Sequence, residues 1–469
     1  MLSRSRSLCA LVVVLLVAGS TFGATQQAID LGIQKGLAYL ATHHSSNATE
    51  IWYPYANNGT LAATASAALA FIEEGHLPGD NVTIDTGSGP VSYGDLVGKM
   101  CTYIFNQSQT HNLGWEYNVF PHHAEDYNNN DVLDDGGNGL GLYFYPGNHQ
   151  RDIYTNGIVA PVVWALGNAL GQGQVIDQGA AAVSAPGGVT DGMTYGQVMQ
   201  DLADWYAWGQ VEPNLGNYRG GWRYTANHGS SDNSTAQWGA LTLLMAQQWG
   251  LKIAPEVLSE LALWAAYIQN ANGGSGYDNP NTYVNCSKTG GLLLELALLG
   301  KPIGDPAVQK ALNFLSSRWN NGPSGTWYGN MMHPYAMWGV YKGLEVYGLT
   351  KDYGSGVGQD FKIGFGIPNA PGGITIGQDW DPKTSAAGDW YSHYCDRLLY
   401  DGARGQRADG SWPGYSYWTG ALAIGWNINI LNAAGAPEPV TYIPEPLTMF
   451  GAFLGLGTLA GYIRKRRTA

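Results

Sequence analysis

An all-α protein built from repeated helical hairpins is the fold that this sequence predicts, on three observations. First, the stretch GGWRYTANHGSSDNSTAQWGALTLLMAQQWG, Gly220 to Gly250, joins a glycine turn to a helix with almost no polar face. Its residues Ala236, Trp238, Ala240, Leu241, Leu243, Leu244, Met245 and Ala246 make it a helix to be buried on nearly all sides. Second, the helix opened by Pro255 sets Val257, Leu258, Leu261, Trp264 and Ile268 in one apolar stripe opposite Glu256, Ser259 and Glu260, so it has one wet face. Third, this alternation of amphipathic and all-apolar helices, joined by Gly/aromatic turns, recurs along the chain, which predicts a ring or solenoid of hairpins.

The hairpins follow in order. The first pairs an outer helix over about 28–43 with an inner helix over about 61–72. The second pairs about 93–105 with about 158–170, around a long insertion at about 108–150 of the kind that tends to sit on one rim of a repeat array. The third pairs about 195–208 with 235–249. Here Trp222 and Tyr224 share one face of a short extended piece, Ser234 and Gln237 fit a capping box, and Gly250 closes the helix. The fourth pairs 255–269 with about 289–299, and the fifth pairs 306–319 with about 335–347. After a Gly/Pro-rich interruption at 354–377, the sixth pairs about 390–400 with 418–431.

The segment GGWRY, followed by Asp232, Gln237 and Trp238, resembles the prenyltransferase/squalene-oxidase repeat of terpenoid cyclases and protein prenyltransferases. GGSGY with NCSKTGGLLLELALLG, TWYGNMMHPYAMWGVYKGLEVYGL, DWYSHYCDRLLYDG and RADGSW fit the same pattern, so the resemblance runs from about Tyr195 to Ala434. It implies an α/α toroid of about six helical hairpins, which closes as one domain over 25–434 despite a length of 469 residues. It implies little about chemistry, because a fold is not a function.

Both ends of the chain read as targeting segments. Residues 1–24 carry Arg4 and Arg6, an apolar run and then small residues, the pattern of a signal peptide. A linker at 435–443 leads to Pro444, Glu445 and Pro446, an apolar span at about 447–463, and Arg464, Lys465, Arg466 and Arg467. That order resembles the PEP-CTERM sorting tail of Gram-negative bacteria. The resemblance implies transient anchoring in the inner membrane, processing by an exosortase-type protease, and delivery to the cell surface or extracellular matrix; the competing reading of a simple tail anchor also exports the body. The formal charge of −13 disfavours nucleic acid and anionic membranes as partners and leaves cations and extracellular polysaccharide. Of the four cysteines, Cys9 lies in the signal segment, and Cys101, Cys286 and Cys395 allow at most one bridge.

Four constellations are candidates for chemistry. In the insertion, Asp126, Asn128, Asn130 and Asp134 place oxygens like the first half of a calcium loop, although Asp131 and Gly137 stand where an EF-hand needs Gly and Glu; the alternative is a solvated Asx-rich turn. The run DVLDD is one residue longer than the DxDD acid of terpene cyclases. Cys286, His393 and Cys395 resemble in kind the zinc ligands of protein prenyltransferases, but Val284 replaces the aspartate ligand, and buried thiols are the commoner use. Finally, aromatic residues recur before successive inner helices, and the mouth of a toroid would gather Trp222, Tyr224, Tyr277, Trp327, Trp390 and Trp412 with Asp232, Asp278, His333, Asp389 and His393. Such a mouth suits a sugar or peptide, whereas the competing account has the Gly-Trp turns brace neighbouring helices. A binding or scaffolding module is therefore the expectation, with a carbohydrate-active enzyme as the alternative if two acids stand at the separation that glycoside hydrolysis requires.

Overall fold

The structure, a computed structural model, describes residues 24–57, 59–85, 89–113, 140–176, 188–349 and 390–433. The signal segment apart from Ala24, the insertion run with Asp126, Asn128, Asn130 and Asp134, Asp389, the linker, and the tail with Pro444, Glu445 and Pro446 lie outside these residues.

The protein is mainly α-helical. The described residues hold α1 (Gln26–Thr42), α2 (Thr60–Glu73), α3 (Tyr93–Asn106), α4 (Asp152–Leu170), α5 (Tyr195–Trp208), α6 (Asn233–Gln248), α7 (Pro255–Ile268), α8 (Cys286–Leu298), α9 (Pro306–Ser317), α10 (Pro334–Glu345), α11 (Trp390–Tyr400) and α12 (Gly420–Asn432). They also hold three two-stranded antiparallel sheets, which an all-α reading does not anticipate. These pair β1 (Ser45–Ser46) with β2 (Ile51–Trp52), β3 (Thr83–Asp85) with β4 (Pro90–Ser92), and β5 (Ser108–Asn112) with β6 (Leu140–Phe144). Each sheet lies where the chain reverses between helices, and the third forms the base of the insertion, with Ser108 opposite Phe144 and Asn112 opposite Leu140.

The even-numbered helices are buried nearly all round, and the odd-numbered ones α1, α3, α7 and α9 keep a wet side. Contacts follow chain order: α2 packs on α4, α4 on α6, α6 on α8, α8 on α10, α10 on α12, and α12 returns to α2. The odd-numbered helices rest against these, α3 on α2, α5 on α4 and α6, α7 and α9 on α8, and α11 on α12. α1 contacts its chain neighbour α2 but packs mainly on α12. With its preceding turn, α4 is long and apolar enough to cross a bilayer, yet it is mostly buried inside the protein, as an inner helix must be.

Several expected boundaries shift for local reasons. α4 starts at Asp152 instead of near residue 158, because its polar first turns have tertiary partners: Asn156 accepts the Phe144 N–H at 2.6 Å and donates to the Phe144 carbonyl at 3.0 Å, clamping β6. At α6 the expected capping box does not form. Asp232 is the N-cap, accepting the N–H groups of Ser234 at 2.9 Å and Thr235 at 3.1 Å, while Gln237 donates to the Tyr335 hydroxyl at 2.7 Å. The capping box belongs to α5, where Thr194 and Gln197 bond reciprocally. Gly250 behaves as expected: at φ +73° it closes a Schellman motif, its N–H reaching the Gln247 carbonyl and that of Leu251 reaching Ala246. Glu260 does not face water; it is buried and takes the Arg219 guanidinium through two hydrogen bonds.

Packing between α8 and α10 brings backbone against backbone. A Cβ on Gly290 would stand 2.4 Å from the Gly339 carbonyl group, and one on Gly343 would stand 2.5 Å from the Gly290 oxygen, so the two backbones touch. Among the even-numbered helices, Trp426 stacks between Trp238 at 6.3 Å and Trp338 at 6.1 Å, and Lys342 Nζ, whose pKa burial pushes well down, lies 3.9 Å from the Trp238 ring centroid. Because the neighbour of Gly290 is backbone, which cannot rotate away, Gly290→Ala should lower stability by about 1–3 kcal/mol in a denaturant titration, against a near-neutral Gly304→Ala at a position with open space.

Candidate ligand-binding cavity

The starts of α4, α6, α10 and α12, together with the segment leading into α2, enclose a cavity of about 700 Å³. Its wall is built from first-turn residues. Tyr335, at the start of α10, donates its hydroxyl to the Ser234 carbonyl at 2.7 Å and accepts from Gln237, so its ring is held rigidly. Trp418 lies parallel to it, with centroids 4.9 Å apart and planes 7° apart. Trp327 meets Trp418 edge-on at 5.5 Å, and Tyr417 lies 6.2 Å from Trp327. Trp327 is 41% and Tyr417 60% exposed, so these two rings are available to a ligand while Tyr335 and Trp418 support them. Across the cavity, Tyr154 stands edge-on to Trp238. Tyr55 is fixed through its hydroxyl, which donates to the Tyr417 carbonyl and accepts the Thr419 N–H at 3.2 Å. Gln150, Arg151, Asn57, Ser416 and Thr419 supply polar groups, and no carboxylate belongs to the described residues that line the space.

Behind this wall lies a second layer. The Tyr224 hydroxyl, on the wall, is 3.2 Å from that of Tyr277. Next to them the buried Asp232 caps α6, accepts the Ser234 hydroxyl at 2.5 Å and has Arg223 at 3.8 Å; burial nevertheless pushes its carboxyl up from the usual range. Lys288, 5.8 Å from the Tyr277 ring centroid, is pushed down to about 7 by burial, against the pull of Asp232. His333 caps α10: its Nδ1 faces the Ala336 N–H at 3.4 Å and its Nε2 faces the Thr326 carbonyl at 3.1 Å. Those partners require a neutral ring with the proton on Nε2. Burial, the largest cause, pushes the ring down to about 4, and it packs 4.9 Å from Trp418.

Of the residues that the sequence nominates for a mouth, Tyr224 and Trp327 line the cavity, and Asp232, Tyr277 and His333 form the layer behind it. Trp222, Trp390 and Trp412 do not reach it. Their rings are buried and their indole N–H groups donate to backbone carbonyls, Trp222 to Tyr206 at 2.7 Å, Trp412 to Leu398 at 2.7 Å, and Trp390 to Leu349. Trp222 and Tyr224 thus part company, one bracing the end of α5 and the other facing the cavity. Asp278 accepts from Asn279 at 3.1 Å and is not among the lining residues. His393 accepts the Trp319 indole N–H at 2.9 Å in the core.

The zinc set does not assemble. Among the described residues no three His, Cys, Asp or Glu side chains come together where an ion could be held. Cys101, Cys286 and Cys395 are buried and form no disulfide, and burial pushes the Cys101 and Cys286 thiols up to about 12. Sequence reasoning missed Tyr55, Arg151, Tyr154, Tyr335, Tyr417 and Trp418. Their common signal is position: each stands at or just before the first turn of an all-apolar helix. No protein-family model and no curated protein matches this chain.

The neutral His333 ties the wall to pH. Its native pKa lies below that of the unfolded chain, so its contribution to stability is complete above about pH 6.5 and is lost as pH falls toward about 4. His333→Asn keeps a capping acceptor without the titration. Thermal unfolding followed from pH 7 to pH 4 should therefore show a smaller loss of stability for this variant than for the wild type.

Proposed function

We propose that this protein is an exported binding module of the cell surface or extracellular matrix, and that it binds a glycan in the aromatic cavity. The observation that carries this reading is the composition of the wall: exposed rings held by buried ones, the hydrogen-bonding groups of Asn57, Gln150, Arg151, Ser416 and Thr419, and no carboxylate among the described lining residues. A pyranose offers flat C–H faces and a rim of hydroxyls, which match rigid rings and amide or hydroxyl groups. Glycoside hydrolysis asks instead for two carboxylates facing the bond to be cut, so the wall favours a module over a hydrolase.

The body, in this reading, is an α/α toroid of the prenyltransferase/squalene-oxidase repeat type. Its support is the chain-ordered contact of the inner helices, with α12 back against α2, and the packing of the odd-numbered helices on them. Export through the signal segment, temporary anchoring in the inner membrane and release by an exosortase-type protease rest on the order of residues at the two ends. Calcium at Asp126, Asn128, Asn130 and Asp134 belongs to the same proposal, as an ion in the insertion that lies between β5 and β6 in the chain.

Titration calorimetry of the purified protein with a panel of soluble oligosaccharides, neutral and acidic, tests the reading. At least one should bind, and Trp327→Ala and Tyr417→Ala should each weaken it about three- to tenfold, as expected when one stacking ring is lost at an exposed site. A panel without any binder, or binding that both variants leave untouched, would overturn it; release of shortened products would turn the reading toward an enzyme.

A further inference from the structure

We infer that the ligand of this cavity is an acidic glycan whose anionic group, a carboxylate or a sulfate ester, seats on Arg151. The inference rests on the glycan-binding reading above and narrows it to a class of sugar. Its basis is a contrast of charge. The protein carries a formal charge of −13, yet the described residues that line the cavity include one cation, Arg151, and no acid. Among the described residues, Asp152 and Asp232 lie near the wall but do not line the cavity. Asp152, next in the chain, is 4% exposed and accepts from His149 Nδ1 at 2.9 Å. Asp232 is fully buried; its Oδ1 serves the first turn of α6 and the Ser234 hydroxyl, and its Oδ2 faces Arg223.

The Arg151 guanidinium, by contrast, has no hydrogen bond or ion pair among the described residues, and its charge reaches the phenols of Tyr55 and Tyr154 on the same wall. A guanidinium fork matches the two oxygens of a carboxylate or sulfate, and a neutral sugar would leave that match unused.

Three probes of equal length separate the possibilities: a β-1,4-linked oligoglucoside, the corresponding oligoglucuronate, and the oligoglucoside sulfated at O6. Titration calorimetry should show at least one anionic probe binding about tenfold tighter than the neutral one, with the gap shrinking in about 0.5 M salt. Arg151→Met should abolish the preference, weakening the anionic probe about tenfold more than the neutral one, and Arg151→Lys should keep part of it. Thermal unfolding checks that Arg151→Met folds; if it does not, the salt series and Arg151→Lys decide. Equal affinity for all three probes, or a preference that survives in Arg151→Met, overturns the inference and leaves the glycan reading standing. Failure of all three probes to bind overturns both.

Discussion

Six helices without a wet face must find every partner inside the protein, and most of the architecture answers that constraint. Their backbones approach until only glycine fits, as where Gly290 of α8 meets Gly339 and Gly343 of α10. Their polar side chains cannot be left to water. Asn156 therefore clamps β6, and Asn233 joins Ser275 at 2.8 Å to the Trp264 indole at 2.8 Å. The amphipathic helices pack against these six and keep their own polar sides to water.

The same constraint creates the cavity. Hydrogen bonding within a helix leaves its first N–H groups without partners, so each inner helix needs a capping device at its start. α6 uses Asp232 and α10 uses His333, whereas α4 and α12 have no side-chain cap. Four of these starts meet around one space, and the rings that precede or open them become its wall. Structural and binding roles are layered there, with Tyr335 and Trp418 locked in place beneath the more exposed Trp327 and Tyr417.

The recurrent Gly-Trp turn has a role distinct from recognition. Its indole N–H terminates a carbonyl of a preceding segment, as Trp222 does for Tyr206 and Trp412 for Leu398, and the ring fills the gap between helices. A buried tryptophan needs such a partner for its one donor, and the end of a neighbouring helix offers unpaired acceptors. Identical turn chemistry therefore places one aromatic in the core and, two residues on, Tyr224 at the cavity.

The sequence alone determined the helical class, the alternation of wet and dry helices, and helix positions to within a few residues, because apolar periodicity and caps are properties of neighbouring residues. It also singled out Tyr224, Trp327, Asp232, Tyr277 and His333 as residues near a common site. It missed the early start of α4 and the burial of Glu260, since Asn156 and Arg219 satisfy these polar groups across space and leave no local trace. Only the tertiary structure decided which rings are walls and which are braces, that Cys286, His393 and Cys395 form no metal-holding group among the described residues, and that Arg151 faces a space free of described carboxylates. Those outcomes depend on where helix ends meet and which way each side chain leaves its helix, and a linear pattern does not encode distances between segments more than a hundred residues apart.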